Sequence, residues 1–239
     1  DAEQLRGLGL IHTVDLTFGN EGITSPDHAR ELAHAARRFL GLGVDPLGPL
    51  SDVAASLGLW CRTTEEHVDG LSLTPDSGFG VGLVGAHLEP GRRRSTVAHE
   101  IGHHVSGDSS ARTGHTSVPA EAERLVDAFA AEFLLPGEVV ESLAPCPPRA
   151  DLIDVAVRYR VSWSVLRTAC EAAGKDLAQA EPLRHPTRND FHLAVGAEPQ
   201  PDLTPPGLPA AWIRACAQAK ASHKVTARRA DELARGALT

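Results

Sequence analysis

Two short runs constrain this chain more than anything else in it. They are Ala98-His99-Glu100-Ile101-Gly102-His103-His104 and, with its Glu twenty residues after His103, Glu123-Arg124-Leu125-Val126-Asp127. Side chains four apart in a helix lie one above the other, so a helical first run sets His99 and His103 on one face, where two imidazoles can grip a single metal ion. A catalytic zinc takes a third protein ligand and keeps one position open for water; a carboxylate from a second helix supplies that ligand if Glu123 is brought alongside. Glu100 is turned off the ligand face and can touch the water rather than the metal, which is the general-base position. One turn past Glu123, Asp127 shares its face and can hydrogen-bond the second nitrogen of a ligating His. Such a chain has to lay two helices side by side.

The spacing from His103 to Glu123 is similar to that of thermolysin-like gluzincins. Asp108 and Glu121 compete as third ligands. A metzincin pattern wants Gly at 106 and His or Asp at 109, where this chain has Ser106 and Ser109, so Asp108 reads as the polar end of the helix. Glu121 is two residues from Glu123 and points about 200° away round the helix. It reads as a solvated acid of the first turn.

With 42% apolar residues in 239, the chain can bury a proper core. No apolar run reaches membrane-spanning length, and the first residues lack the basic-then-apolar order of a signal peptide, so the chain reads as soluble and cytoplasmic, with no membrane partner. It contains no Met, so the numbered chain lacks an initiator. Cys61, Cys146, Cys170 and Cys216 are dispersed with no CxxC pair, which points to reduced thiols. A net charge of −8 argues against an extended DNA footprint and suits a basic protein partner.

Ser25-Pro26 opens a helical stretch with Ala29, Leu32, Ala33, Ala36, Phe39 and Leu40 as its apolar stripe and Gly41 as its end, and a short helix follows near 49–57. The runs 59–63, 69–73 and 79–84 predict a small antiparallel sheet. Ser95 or Thr96 is the expected N-cap of the motif helix, which ends near Gly107, and Arg92-Arg93-Arg94 reads as a solvated loop. A second metal-side helix is predicted over 119–135, packing Leu125, Ala128, Phe129, Ala131 and Phe133 inward. Residues 151–174 read as helix, tight turn at Arg160-Val161-Ser162, helix; as a DNA reader the element offers Arg167 but also Glu171, and direct DNA contact is not expected. A proline-rich stretch over 198–209 and terminal helices over 210–222 and 226–234 complete the chain.

Taken together, Arg94-Ser95-Thr96-Val97-Ala98-His99-Glu100-Ile101-Gly102-His103-His104 and Glu123-xxx-Asp127-Ala128-Phe129-Ala130-Ala131-Glu132-Phe133-Leu134-Leu135-Pro136 resemble the ImmA/IrrE metallopeptidase family. The resemblance is strong over about residues 45 to 140. It implies His99, His103 and Glu123 as ligands, Glu100 as the catalytic acid, and limited proteolysis of a helix-turn-helix repressor as the activity. Ser95 replaces the family's usual apolar residue, and Asp127 stands where the family more often has Asn. The implied fold class is α+β: a zincin-like domain over 1–142 with a small antiparallel sheet and active-site helices, a helix-turn-helix-like region over 143–198, and a linker with terminal helices over 199–239.

The chemistry within reach is attack of an activated water on a carbonyl, with Glu100 carrying its proton to the leaving amine. Zn2+ is the expected cofactor, and the ligand set also admits Mn2+ or Fe2+. The expected partner is a protein substrate, a basic helix-turn-helix repressor. Two alternatives are a non-catalytic metal-containing regulator binding through its helical C-terminal region, and an enzyme acting on a small peptide or amide. Tyr159, His104 and His115 are candidates for a second oxyanion donor, each also readable as structural. The last strand before the motif is the expected substrate edge, through Val81, Gly82 and Leu83, because alternating glycines leave backbone accessible. The same glycines equally fit close packing against the motif helix.

Overall fold

The computed structural model describes residues 1–19, 21–107, 120–177, 186–198 and 201–238. In chain order these form α1 (Ala2–Gly7), α2 (Pro26–Phe39), α3 (Leu50–Ser56), β1 (Leu59–Thr64), β2 (Gly70–Asp76), β3 (Phe79–Gly85), α4 (Pro90–Ser106), α5 (Ala120–Leu134), α6 (Gly137–Glu141), α7 (Arg149–Tyr159), α8 (Trp163–Ala172), α9 (Arg188–Val195), α10 (Ala210–Ala221) and α11 (Ala227–Leu233). The class is α+β, and the strands and most helices fall where hydrophobic periodicity puts them. The short helices α1, α6 and α9 lie outside the stretches that periodicity marks. Among the described residues no helix is long and apolar enough to cross a membrane.

The sheet departs from the expected antiparallel arrangement. Its order is β1-β3-β2, with β3 parallel to β1 and antiparallel to β2. The short turn at Ser77-Gly78 folds β2 and β3 into a hairpin, while the 65–69 connection carries the chain past the space beside β1 that β3 then fills. Alternation marks a strand but not its partner, so this order was not legible. It also corrects the assignment of Val81, Gly82 and Leu83 as a substrate edge: β3 is the central strand, paired on both sides. Its glycines serve packing instead. A Cβ on Gly80 would stand 2.8 Å from His104 Nδ1, and one on Gly82 2.7 Å from Cys61 Sγ. The outer side of β1 is engaged as well, Thr63 N–H donating to Pro206 O at 3.0 Å. Among the described residues β2 is left as the free edge.

The motif helix is capped at Glu89, six residues before Ser95, and starts at Pro90, so the arginines belong to it. Arg93 and Arg94 are buried rather than solvated. Arg93 Nη1 donates to Leu203 O at 3.0 Å, and Arg94 Nη1 to the Asp202 carboxylate. Asp202 also accepts from the N–H of Leu50, the first residue of α3, at 3.0 Å. The partner that neutralises Arg94 lies 108 residues further on, beyond any local reading. The proline-rich stretch thereby clasps the start of both α3 and α4. Gly107, at φ 67°, ends α4 in the left-handed conformation as anticipated.

α5 lies against α4 because Gly102 has no side chain. A Cβ there would approach Phe129 Cδ1 and Val126 Cγ1 to 2.9 Å each. The buried face of α5 is Val126, Phe129, Ala130, Phe133 and Leu134, so Ala131 points outward, contrary to expectation. On α2, Ser25 Oγ caps His28 N–H at 3.1 Å, and Ala29, Leu32, Ala33 and Ala36 are buried as predicted. Phe39 is instead 41% exposed, and Arg37 is buried, bridging to Gly43 O and Phe133 O. The α7-α8 hairpin turns at Arg160 (φ 53°), and its Val155, Ala156, Val161 and Leu166 join the same core as Phe129 and Phe133. On the other side of the sheet, α1, α10 and α11 pack Leu5, Trp212, Cys216 and Leu233 against Trp60 and Phe79.

Candidate metal centre

His99 and His103 are four apart on α4, and their Nε2 atoms stand 3.1 Å from each other. Glu123 Oε2, brought in by the first turn of α5, lies 3.0 Å from His99 Nε2 and 3.7 Å from His103 Nε2. The three ligand atoms lie within 4.8 Å of one another. Ligands about 2.0–2.2 Å from a tetrahedral ion stand about 3.3–3.6 Å apart, so the spacing suits one small divalent cation. The hydrogen bonding points the same way. His99 Nδ1 lies 2.8 Å from Asp127 Oδ1, which fixes the proton on Nδ1 and leaves the Nε2 lone pair aimed at the Glu123 carboxylate. Two lone pairs facing each other repel unless a cation stands between them.

The anticipated partnership of Asp127 is therefore present in the geometry. Removing it should loosen the metal without removing a ligand. Asp127→Ala is expected to weaken metal affinity by about 10–100-fold, while Asp127→Asn, which keeps an acceptor oxygen, retains most of it. Competition against a chromophoric chelator measures both.

Glu100 is off the ligand face, as predicted, and its carboxylate accepts a hydrogen bond from Ser72 Oγ on β2. Gly70 makes room for it, since a Cβ there would sit 2.7 Å from Glu100 Oε1. Ser72 and Gly70 carry no sequence motif; only the β2 pairing brings them to the centre. Cys61 is buried beneath the sheet on this side. Burial, and secondarily Glu100, hold its thiol well above the usual range.

The oxyanion candidates are corrected by the structure. Tyr159 is in the core and its hydroxyl donates to Val44 O at 3.0 Å. His104 is 1% exposed, with Nε2–H donating to Leu57 O at 3.0 Å and Nδ1 accepting from Thr74 Oγ1 at 2.9 Å. It ties α4 to β2 and to the end of α3 and has no face toward the centre. Glu121 is exposed on α5, away from the ligand atoms. Asp108 and His115 lie outside the described residues.

Burial pushes His104 down to about 4, against the smaller opposing effect of its bond to Leu57. The folded-state value is below the unfolded one, so the unfolded chain takes up the proton first as the pH falls. Stability is complete above the ordinary value near 6.5 and is lost toward 4. Between pH 7 and pH 5 the chelator-treated protein is expected to lose about 2 kcal/mol from this group. Urea unfolding at the two pH values checks it; an equal loss in His104→Asn would assign the effect to other groups.

Residues 60–171 match the family model described as the IrrE N-terminal-like domain, Peptidase_M78. The matched stretch runs from β1 into α8 and contains His99, Glu100, His103, Glu123 and Asp127. No curated protein matches the chain.

Proposed function

From the premise that residues 60–171 form an IrrE N-terminal-like peptidase domain, we propose that this protein is a zinc-dependent metallopeptidase that cuts a helix-turn-helix repressor in the cytoplasm. The observation that carries the reading is the convergence of His99 Nε2, His103 Nε2 and Glu123 Oε2, with Glu100 the next residue of α4 after His99 and its carboxylate held by Ser72. Two imidazoles and a carboxylate are the ligand set of catalytic zinc, and Mn2+ or Fe2+ are the alternatives that elemental analysis separates. A divalent ion held there supplies Lewis acidity, lowering the pKa of a water in the open position and polarising a carbonyl. Glu100 takes the proton of the attacking water and delivers it to the leaving amine. Ser72 holds the carboxylate on the side from which a substrate approaches.

The edge of β2 offers the place for that substrate. Gly85 N–H bonds to Asp69 O, and the register then alternates so that Leu71 and Leu73 bond to β3. The backbone N–H and C=O of Gly70 and Ser72 consequently face outward. An extended peptide added there runs directly past Glu100, with affinity from main-chain pairing. Such pairing is indifferent to side chains, so an unfolded or locally opened segment of the partner is what this edge selects.

Incubating the metal-loaded protein with a helix-turn-helix repressor-like product of an adjacent gene, with and without chelator, tests the proposal. Discrete cleavage that the chelator abolishes is the expected result. Binding without cleavage would favour a non-catalytic regulator, and cleavage that the chelator leaves intact would end the metallopeptidase reading.

A further inference from the structure

The sheet face turned away from α4 lines a half-open cavity of about 460 Å³ beneath α1, α10 and α11. That is within the range of about 300–1,000 Å³ typical of small-molecule sites. Its walls are apolar and aromatic: Trp60, Leu73, Val81, Leu83, Leu208 and Trp212, with the two indole rings 6.1 Å apart. Strand alternation separates it from the metal centre. Cys61 and Gly80 face α4, and their neighbours Arg62 and Val81 face the cavity.

Arg62 is the residue that gives this space a chemistry. It is half-buried, and its Nη1 donates to Thr63 O at 2.9 Å. Among the described residues its Nε and Nη2 have no hydrogen-bond partner, and no carboxylate lies within ion-pairing distance. Burial, and secondarily Arg235, lower its pKa. The acids at the rim do not offset it. Asp1 is taken by Arg229 at 2.8 Å and Arg235 at 3.1 Å, and Glu3 is exposed. A guanidinium against apolar walls with one carbonyl acceptor and no anion beside it costs free energy that an anion would recover.

We propose that this cavity binds an apolar monocarboxylate, its two oxygens held by the fork of Arg62 and its hydrocarbon lying between Trp60, Leu83 and Trp212. One guanidinium presents parallel donors that match one carboxylate. A phosphate ester with two charges would meet a single uncompensated cation and the Glu3 carboxylate, so the monoanion fits better. The inference is independent of the peptidase activity, since neither the metal ligands nor Glu100 line the cavity.

Decanoate and decanol are the probes, titrated into the metal-loaded full chain with tryptophan fluorescence as the readout. Two of the three tryptophans line the cavity, and Trp163 lies in the other core. Saturable binding of one decanoate is expected, at least tenfold tighter than decanol. Arg62→Leu should erase that preference by weakening decanoate about tenfold while leaving decanol unchanged, and Arg62→Lys should lie between. Leu83→Trp, which fills the space, should abolish binding of both while the metal content stays at the wild-type level. Equal affinity for the acid and the alcohol, undiminished decanoate binding by folded Arg62→Leu or Arg62→Lys, or no saturable binding up to about 1 mM would each overturn the proposal.

Discussion

Glu100→Gln protein is expected to carry metal at the wild-type level and to cleave about 10²–10⁴-fold more slowly, the usual contribution of a positioned general base. The two outcomes are separable because Glu100 is not among the three ligand atoms. The amide keeps the size of the carboxylate, and its oxygen can still accept from Ser72 Oγ, so the packing against Gly70 is preserved. Only the capacity to take a proton is lost. Metal content after desalting and initial rates at matched protein concentration are the two measurements. Metal lost along with activity would make Glu100 a ligand or a structural support, and turnover near wild type would place the base elsewhere.

The second large effect is on the metal itself. His99→Ala removes a ligand and, with it, the contact through which Asp127 reaches the centre. Metal should fall from about one per chain to a trace, and cleavage should become undetectable. A cation that binds the folded state alone stabilises it by about 4 kcal/mol when present at a thousandfold its dissociation constant. Adding chelator should therefore lower the unfolding midpoint of the wild type and leave that of His99→Ala where it was. Equal metal in the two proteins would dismiss His99 as a ligand, and a chelator shift of the same size in both would locate the stabilising ion somewhere else.

The centre could be read from the sequence because helical arithmetic is local. His99 and His103 need only 3.6 residues per turn to share a face, and Glu123 and Asp127 repeat the argument one helix later. What failed was whatever depends on a partner distant in the chain. Period-two alternation found β1, β2 and β3 but assigned the free edge to β3, since nothing in Phe79–Gly85 states that β1 and β2 flank it. Arg93 and Arg94 looked solvated because Asp202 and Leu203, which bury them, come more than a hundred residues afterwards. His104 stayed open between an oxyanion donor and a structural residue for the same reason: Thr74 and Leu57, its two partners, arrive from a strand and a helix end. The glycines were ambiguous between accessible backbone and tight packing, and the side chains of His104 and Cys61 decide for packing.

The clasp formed by Asp202, Leu203 and Pro206 has a bearing on modularity. A fragment cut to the matched residues 60–171 would keep His99, His103 and Glu123 yet strand two arginines inside the front of the motif helix, open the flank of β1 and lose α3 altogether. Leaving a buried ion without its mate costs about 3–5 kcal/mol, a large part of what a domain of this size has to spare. The catalytic segment is thus not a transplantable cassette: any graft, fusion or circular permutation that preserves it must carry the 201–207 strap along, or replace Arg93 and Arg94 with apolar residues.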